Sequence, residues 1–238
     1  MRGVNLKGDG PLSADGNSNV DLIIFDCDGV LVDSEMLSMR GYRDTLLAVG
    51  IDVAHDDLLD CIGLKQADIF NRVENLSGRS VSAETREGLW PRIRVLFEAE
   101  LKPTAGLVEF LASLTTKVCV ASSSDPGRLR VSLGLTGLAD YFGDAVFSTQ
   151  LVPHGKPAPD IFLFAAQRMG CDPARCLVIE DSAPGIRGAI AAGMTAIGYV
   201  GASHIRPGHA KLLSAAGATA ICEDWRCVAQ WLMRRNAR

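Results

Sequence analysis

The chain has 238 residues, of which 47% are hydrophobic and 22% are charged, so it is long enough for one large domain with a smaller insert. Its formal net charge of −4 argues against nucleic acid as a partner, and no apolar run reaches the ~20 residues of a membrane helix. Residues 1–19 are rich in Gly, Ser, Asn and Asp and lack the apolar core of a signal peptide, which predicts a flexible N-terminal tail.

Apolar runs predict the strands of the fold. From the second strand onward, the runs alternate with segments that have the spacing of helices packed on a sheet. This alternation predicts an α/β fold with a Rossmann-like parallel sheet covered on both faces. The predicted strands are 22–25, 117–121, 145–147, 176–179 and 195–200, with a further edge strand at 220–222, and the predicted helices are 106–114, 128–133, 159–169, 183–192 and 225–235.

The interval between the first two strands is different, because it contains helical patterns alone, at 36–49, 66–76 and 83–101. Pro91 is expected to kink or split the last of these. About 65 residues are too many for one crossover connection, so we expect a separate helical domain here. The predicted cap domain covers residues 35–101, and the predicted core covers 20–34 and 102–238.

Two aspartates follow the first predicted strand. Asp26 and Asp28 lie one residue apart, and Gly29 comes directly after them. The C-terminal ends of strands are where open parallel sheets bind ligands. Two adjacent carboxylates there are costly unless a cation, usually Mg2+, shares their charge. This segment therefore predicts a magnesium-dependent active site.

Three further motifs follow later strands or the loops beside them. Ser122 ends the second predicted strand, and Lys156 lies in a loop that two nearby prolines stiffen. The fourth strand ends in Glu180 and Asp181. Hydroxyl, ammonium and carboxylate groups at one edge of a sheet are suited to a phosphate and a divalent cation.

In their order and spacing, these four motifs resemble the haloacid dehalogenase superfamily. The similarity is to its subfamily IA-type phosphatases, whose small helical cap follows the first strand, as in sugar phosphatases, phosphogluconate phosphatases and β-phosphoglucomutases. The resemblance implies that Asp26 is a nucleophile that forms an aspartyl-phosphate, and that Asp28 is the general acid/base. It implies that Ser122, with the amide of Ser123, binds the phosphoryl oxygens.

The resemblance also implies a role for each remaining motif. Lys156 would offset the charge of the nucleophile and the phosphate. The Mg2+ site would consist of Asp26, the backbone carbonyl of Asp28, Asp181 and Glu180.

Substrate recognition is assigned to the cap by the same resemblance. Lys65 and Gln66 match the cap loop that descends over the site, and Glu35 lies at the junction of cap and core. The seven cysteines form no closely spaced metal-binding pair, which predicts reduced thiols in a cytoplasmic protein. Three of the four histidines are expected at the surface: His154, His204 and His209.

The functional hypothesis is a Mg2+-dependent phosphatase that hydrolyses a small phosphorylated metabolite, a sugar or sugar-acid phosphate. The alternative is a phosphosugar mutase, although those enzymes carry an arginine where this chain has Gln66. Asp28 and Asp181 argue against a dehalogenase, which needs neither. A binding protein with an inactive site is disfavoured because no motif residue is missing. We expect a monomer or weak homodimer that binds no membrane.

Overall fold

The structure is a computed structural model and describes residues 19–236. Six strands and twelve α-helices occur among these residues, with short 3-10 turns at Thr149–Leu151 and Pro173–Arg175. The strands are β1 (Leu22–Phe25), β2 (Lys117–Ser122), β3 (Val146–Ser148), β4 (Cys176–Glu180), β5 (Thr195–Tyr199) and β6 (Ala220–Cys222). The helices are α1 (Glu35–Ala48), α2 (His55–Leu59), α3 (Gln66–Ser77), α4 (Ala83–Glu87), α5 (Leu89–Glu100), α6 (Leu107–Ser113), α7 (Pro126–Leu135), α8 (Ala139–Phe142), α9 (Asp160–Met169), α10 (Ala183–Ala191), α11 (His209–Ala215) and α12 (Trp225–Asn236).

All six strands form one parallel sheet in the order β3-β2-β1-β4-β5-β6. The predicted Rossmann-like α/β fold is therefore confirmed. The strand order changes direction at β1, which pairs with β2 on one side and with β4 on the other. A crevice outside the C-terminal ends of strands is expected at such a point, and ligands of open α/β sheets bind there.

The apolar side chains of β1 alternate between the two faces of the sheet. Phe25 joins one buried cluster and packs edge-on against Phe110 of α6, while Ile24 belongs to the cluster formed with α9 and α10. All four residues of β1 are completely buried. Helices on both faces thus hold β1 in a fixed position, and the residues that follow it inherit that precision.

Helices α1 to α5 lie between β1 and β2 in the chain and form the helical insert, residues 35–100. Helix α1 packs closely on α5, since a Cβ at Gly41 would lie 2.5 Å from Ile93 Cγ1. The helical pattern predicted over 83–101 is indeed divided, but at Gly88 rather than at Pro91. Pro91 lies in the first turn of α5, where the missing N–H leaves no hydrogen bond unmade. That residues 35–101 form a separate domain stays a prediction.

Two other expectations concern the cysteines and the N-terminal residues. Cys222 and Cys227 form a disulfide with a Cα–Cα distance of 5.3 Å, so the prediction of reduced thiols is wrong for this pair. The short turn between β6 and α12 brings the two residues together.

The predicted tail lies, except for its last residue, outside the described residues. No helix within residues 19–236 is long and apolar enough to cross a membrane.

Candidate active site

The four motifs meet at the C-terminal edge of the sheet. They line one cavity of about 570 Å³, which lies between the strand ends and the helical insert. Its wall on the insert side is largely apolar, with Trp90 as its largest side chain. Every predicted site residue lines this cavity: Asp26, Asp28, Glu35, Lys65, Gln66, Ser122, Ser123, Lys156, Glu180 and Asp181.

Three buried carboxylates form the centre of the site. Asp26, Glu180 and Asp181 each place one carboxylate oxygen within 4.8 Å of the others. Burial raises the pKa of Asp26 well above its ordinary value, and the charges of the two other carboxylates raise it further, although Lys156 opposes this. A shared divalent cation would remove this penalty, and a set of oxygen donors fits a hard ion such as Mg2+. These residues therefore fit the predicted metal, although the Asp28 side chain is not part of the cluster.

Lys156 lies directly beside the acidic cluster. Its ammonium donates to Asp26 Oδ1 at 2.6 Å, to Glu180 Oε1 at 2.6 Å and to the carbonyl of Ala121 at 2.9 Å. Burial lowers the pKa of Lys156, but the two carboxylates outweigh burial and raise it above its ordinary value. All three ammonium hydrogens thus have protein acceptors. The lysine is paired with Asp26, and its predicted role of offsetting the charge of nucleophile and phosphate stays a prediction.

Glu180 is oriented by the turn that follows it. Its Oε2 accepts hydrogen bonds from the Ser182 backbone N–H at 2.9 Å and from the Ser182 hydroxyl at 2.8 Å. Gly185, in the first turn of α10, lies so close that a Cβ there would be 1.8 Å from Glu180 Oε1. The space left by glycine is therefore what admits this carboxylate.

We expect Gly185→Ala to disturb the acidic cluster, even though alanine favours the helical conformation more than glycine does. The methyl group would displace Glu180, and such overpacking lowers the free energy of unfolding by about 1–3 kcal/mol. Binding of Mn2+ should weaken by about 10-fold or more because a ligand or its neighbour has moved. Chemical denaturation and titration with Mn2+ measure both effects. The matched control is Gly134→Ala in α7, where a Cβ would meet nothing within 4 Å. This variant should lower neither the free energy of unfolding nor the affinity for Mn2+.

Asp28 is held by a second set of contacts, which differs from the contacts of the acidic cluster. Its Oδ1 accepts from the Ser34 hydroxyl at 2.5 Å and from Arg128 Nη2 at 2.8 Å, and its Oδ2 accepts from the Ser124 hydroxyl. Burial raises the pKa of Asp28, but the charge of Arg128 and these hydrogen bonds outweigh burial and lower it. Asp28 is therefore an ionised acceptor in this arrangement.

Arg128 is a residue that sequence reasoning missed. Its guanidinium lies over the rings of Trp90 and Phe97 at 5.6 and 5.2 Å, and it also donates to the Ser38 hydroxyl at 3.1 Å. It thereby joins Asp28 to both α1 and α5 of the helical insert. A single arginine near the start of a helix carries no sequence signal for such contacts.

The remaining predicted residues lie at the edges of the cavity. Ser122 is buried, and its hydroxyl accepts from the Ser124 backbone N–H, while Ser123 is exposed. Lys65 and Gln66 are exposed on the insert side. Burial and the charge of Asp28 raise the pKa of Glu35, at the start of α1, to about 7. The substrate contacts predicted for all five stay predictions.

The expectation that three histidines lie at the surface is confirmed for His154 and wrong for His204. His154 has an exposed side chain that pairs with Asp160. The His204 side chain is only 3% exposed, and its Nε2 lies 3.1 Å from Asp181 Oδ2. His209 is partly buried, and its Nε2 donates to the Asp181 carbonyl at 2.5 Å. The loop after β5 carries His204 into the site and the first residue of α11 is His209, which the local sequence does not indicate.

Comparison with known proteins agrees with this geometry. The profile of the haloacid dehalogenase-like hydrolase family matches residues 20–193. The chain is 27% identical to 6-phosphogluconate phosphatase of Escherichia coli K12 over 88% of its own length and 96% of that protein. It is 33% identical to fructose-1-phosphate phosphatase YqaB of Escherichia coli K12 over 74% of its own length and 94% of that protein.

A solved structure resembles the whole fold. A haloacid dehalogenase-like protein of unknown function from Agrobacterium tumefaciens strain C58 superposes with a TM-score of 0.81 and 36% identity, covering 91% of this chain and 99% of that one. The profile match spans well over half of the chain, and the predicted resemblance and hydrolase class are confirmed. The chain belongs to the haloacid dehalogenase-like hydrolase family.

Proposed function

We propose that the protein is a Mg2+-dependent phosphatase that hydrolyses a small phosphorylated sugar or sugar acid through an aspartyl-phosphate. The main support for this proposal is the position of Asp26. It shares a buried acidic cluster with Glu180 and Asp181 and is paired with Lys156. The relatives support the substrate class, since they are a 6-phosphogluconate phosphatase and a fructose-1-phosphate phosphatase.

The contacts of Asp26 support its proposed role as the nucleophile. Lys156 holds Oδ1, whereas Oδ2 accepts no hydrogen bond from the described residues. In the first step Oδ2 attacks phosphorus, the bond to the sugar oxygen breaks, and that oxygen leaves with a proton. In the second step water attacks the aspartyl-phosphate, releases inorganic phosphate and restores the carboxylate.

Asp28 is the proposed proton carrier for both steps. The ionised form that Arg128 and Ser34 stabilise is the form that takes a proton from the attacking water. To donate a proton to the leaving oxygen in the first step, Asp28 has to be protonated, which requires a weaker contact with Arg128. We infer that the arrangement described here corresponds to the base form.

The metal site and the cap complete the proposal. Asp26, Glu180 and Asp181 would hold Mg2+, which supplies positive charge beside the transferring phosphoryl group. The chain enters and leaves the helical insert through two segments that lie side by side. The Asp33 backbone N–H on one segment donates to the Lys102 carbonyl on the other at 3.0 Å. Two neighbouring connections between the insert and the rest of the protein can act as a hinge. We therefore propose that the insert is a cap that closes over the substrate.

The experiment is a screen of phosphorylated sugars, sugar acids and unrelated phosphomonoesters, with release of inorganic phosphate as the readout. We expect hydrolysis that requires Mg2+, is lost with EDTA and favours compounds of the first two groups. Conversion of glucose 1-phosphate to glucose 6-phosphate without phosphate release would instead establish a mutase. No phosphate release from any compound in the presence of Mg2+ would refute the proposal.

A further inference from the structure

The loop between β5 and α11 has no assigned role, although the loop and the first residue of α11 each place a histidine beside Asp181. His204 Nε2 lies 3.1 Å from Asp181 Oδ2, and His209 Nε2 donates to the backbone carbonyl of the same residue at 2.5 Å. Because a carbonyl and a carboxylate only accept, both histidines are placed to donate from Nε2. His204 thus contacts the side-chain carboxylate of Asp181, and His209 contacts its backbone carbonyl.

We infer that His204 and His209 are positioning residues that hold Asp181 in the orientation required for the metal. The inference rests on the proposed function, in which Asp181 is a ligand. His204 is not itself placed as a ligand, since the group of side chains that could hold an ion consists of Asp26, Glu180 and Asp181. A contact with Oδ2 restricts the rotation of the carboxylate and would keep Asp181 in one orientation for the metal that the cluster would hold.

The packing around His204 leaves Asp181 little freedom. A Cβ at Gly29 would lie 2.0 Å from Asp181 Oδ2 and 2.7 Å from His204 Cε1. Gly29, with a φ of +75°, follows the two motif aspartates directly, so the first motif, Asp181 and the imidazole touch one another. The backbone at Gly29 and the imidazole of His204 therefore both lie against the Asp181 carboxylate.

The loop is itself anchored on both sides of the cavity. The Ser203 backbone N–H and hydroxyl donate to Asp33 Oδ1 at 3.2 and 2.7 Å, next to the junction with the helical insert. Arg206 Nη1 donates to Asp60 Oδ1 of the insert at 2.7 Å. These contacts fix the loop on either side of His204, as a positioning role requires.

The test is direct binding of Mn2+ to the full chain without substrate, measured by electron paramagnetic resonance or calorimetry. We expect His204→Leu, which fills the space without a donor, to weaken Mn2+ binding by about 10- to 100-fold. His204→Gln retains an N–H donor near the position of Nε2 and should stay within about 3-fold of the wild type. The control His154→Leu, at an exposed position, should bind as the wild type does.

Thermal unfolding in EDTA separates positioning from general stability. We expect His204→Gln to unfold within a few degrees of the wild type while His204→Leu shows the binding loss. Equal Mn2+ affinity of His204→Leu and wild type would overturn the inference and leave the proposed function intact. Equal losses of affinity and of unfolding temperature in both variants would overturn it too, because the role would then be structural. A wild type that binds no Mn2+ would refute the metal-dependent function itself.

Discussion

Asp26→Asn is expected to abolish phosphate release and to leave the protein folded. The amide has nearly the same shape, but it cannot attack phosphorus and form the aspartyl-phosphate, so the rate should fall by about 10⁴-fold or more. Because burial and two neighbouring carboxylates raise the pKa of Asp26, the folded state disfavours its ionised form. A neutral side chain at residue 26 should therefore unfold at the wild-type temperature or above it.

Two measurements check this prediction on the same preparations. Phosphate release is followed under saturating Mg2+ with the best substrate from the screen, and thermal unfolding is recorded without substrate. Asp68→Asn, at an exposed position of α3 outside the cavity, is the matched control and should have wild-type activity. Turnover by Asp26→Asn at the wild-type rate would show that this carboxylate is not the nucleophile.

Lys156→Met is expected to impair both activity and stability. The substitution keeps most of the length of the unbranched side chain but leaves Asp26 and Glu180 without the cation between them. Removing one partner of a buried ion pair lowers the free energy of unfolding by about 3–5 kcal/mol. Loss of the positive charge beside the phosphoryl group should lower the rate by about 10²-fold or more.

The sign of the pH dependence distinguishes this mechanism from simple loss of packing. Lys156 lowers the pKa of Asp26, so without it that pKa should rise further above its ordinary value. The stability loss should therefore grow as the pH rises from 5 to 8, because the unfolded chain has released the Asp26 proton while the folded variant keeps it longer than the wild type does. Denaturation curves at both pH values, with and without Mg2+, measure the effect, and Mg2+ should restore part of the stability. Lys211→Met, at an exposed position, is the control. A loss independent of pH and of Mg2+ would contradict the electrostatic explanation.

The sequence allowed the sheet and the centre of the site to be predicted for a simple reason. Buried parallel strands are continuous apolar runs, and β1 has the bounds that were predicted for it. Since the C-terminal ends of parallel strands share one edge, Asp26, Glu180 and Asp181 had to meet there. Backbone geometry alone brings these groups together, so little knowledge of side-chain packing was required.

The contacts of Arg128 and His204 could not be predicted in the same way. Arg128 meets Asp28 across 100 positions of the chain, and its orientation depends on the rings of Trp90 and Phe97 in the helical insert. His204 lies in an irregular loop that has no periodic pattern, so its burial depends on tertiary packing alone. The break at Gly88 likewise depends on how α4 and α5 pack, since a proline in a first turn does not require one.

The central place of β1 has a consequence for biosynthesis. This strand is translated first, yet its neighbour β4 follows about 150 residues later in the chain. At a translation rate of about 5–20 residues per second, β1 lacks its β4 neighbour for roughly 8–30 seconds, even after β2 has been made. Ribosome-associated chaperones should therefore bind the nascent chain over residues 20–32, and their release should coincide with the emergence of Glu180.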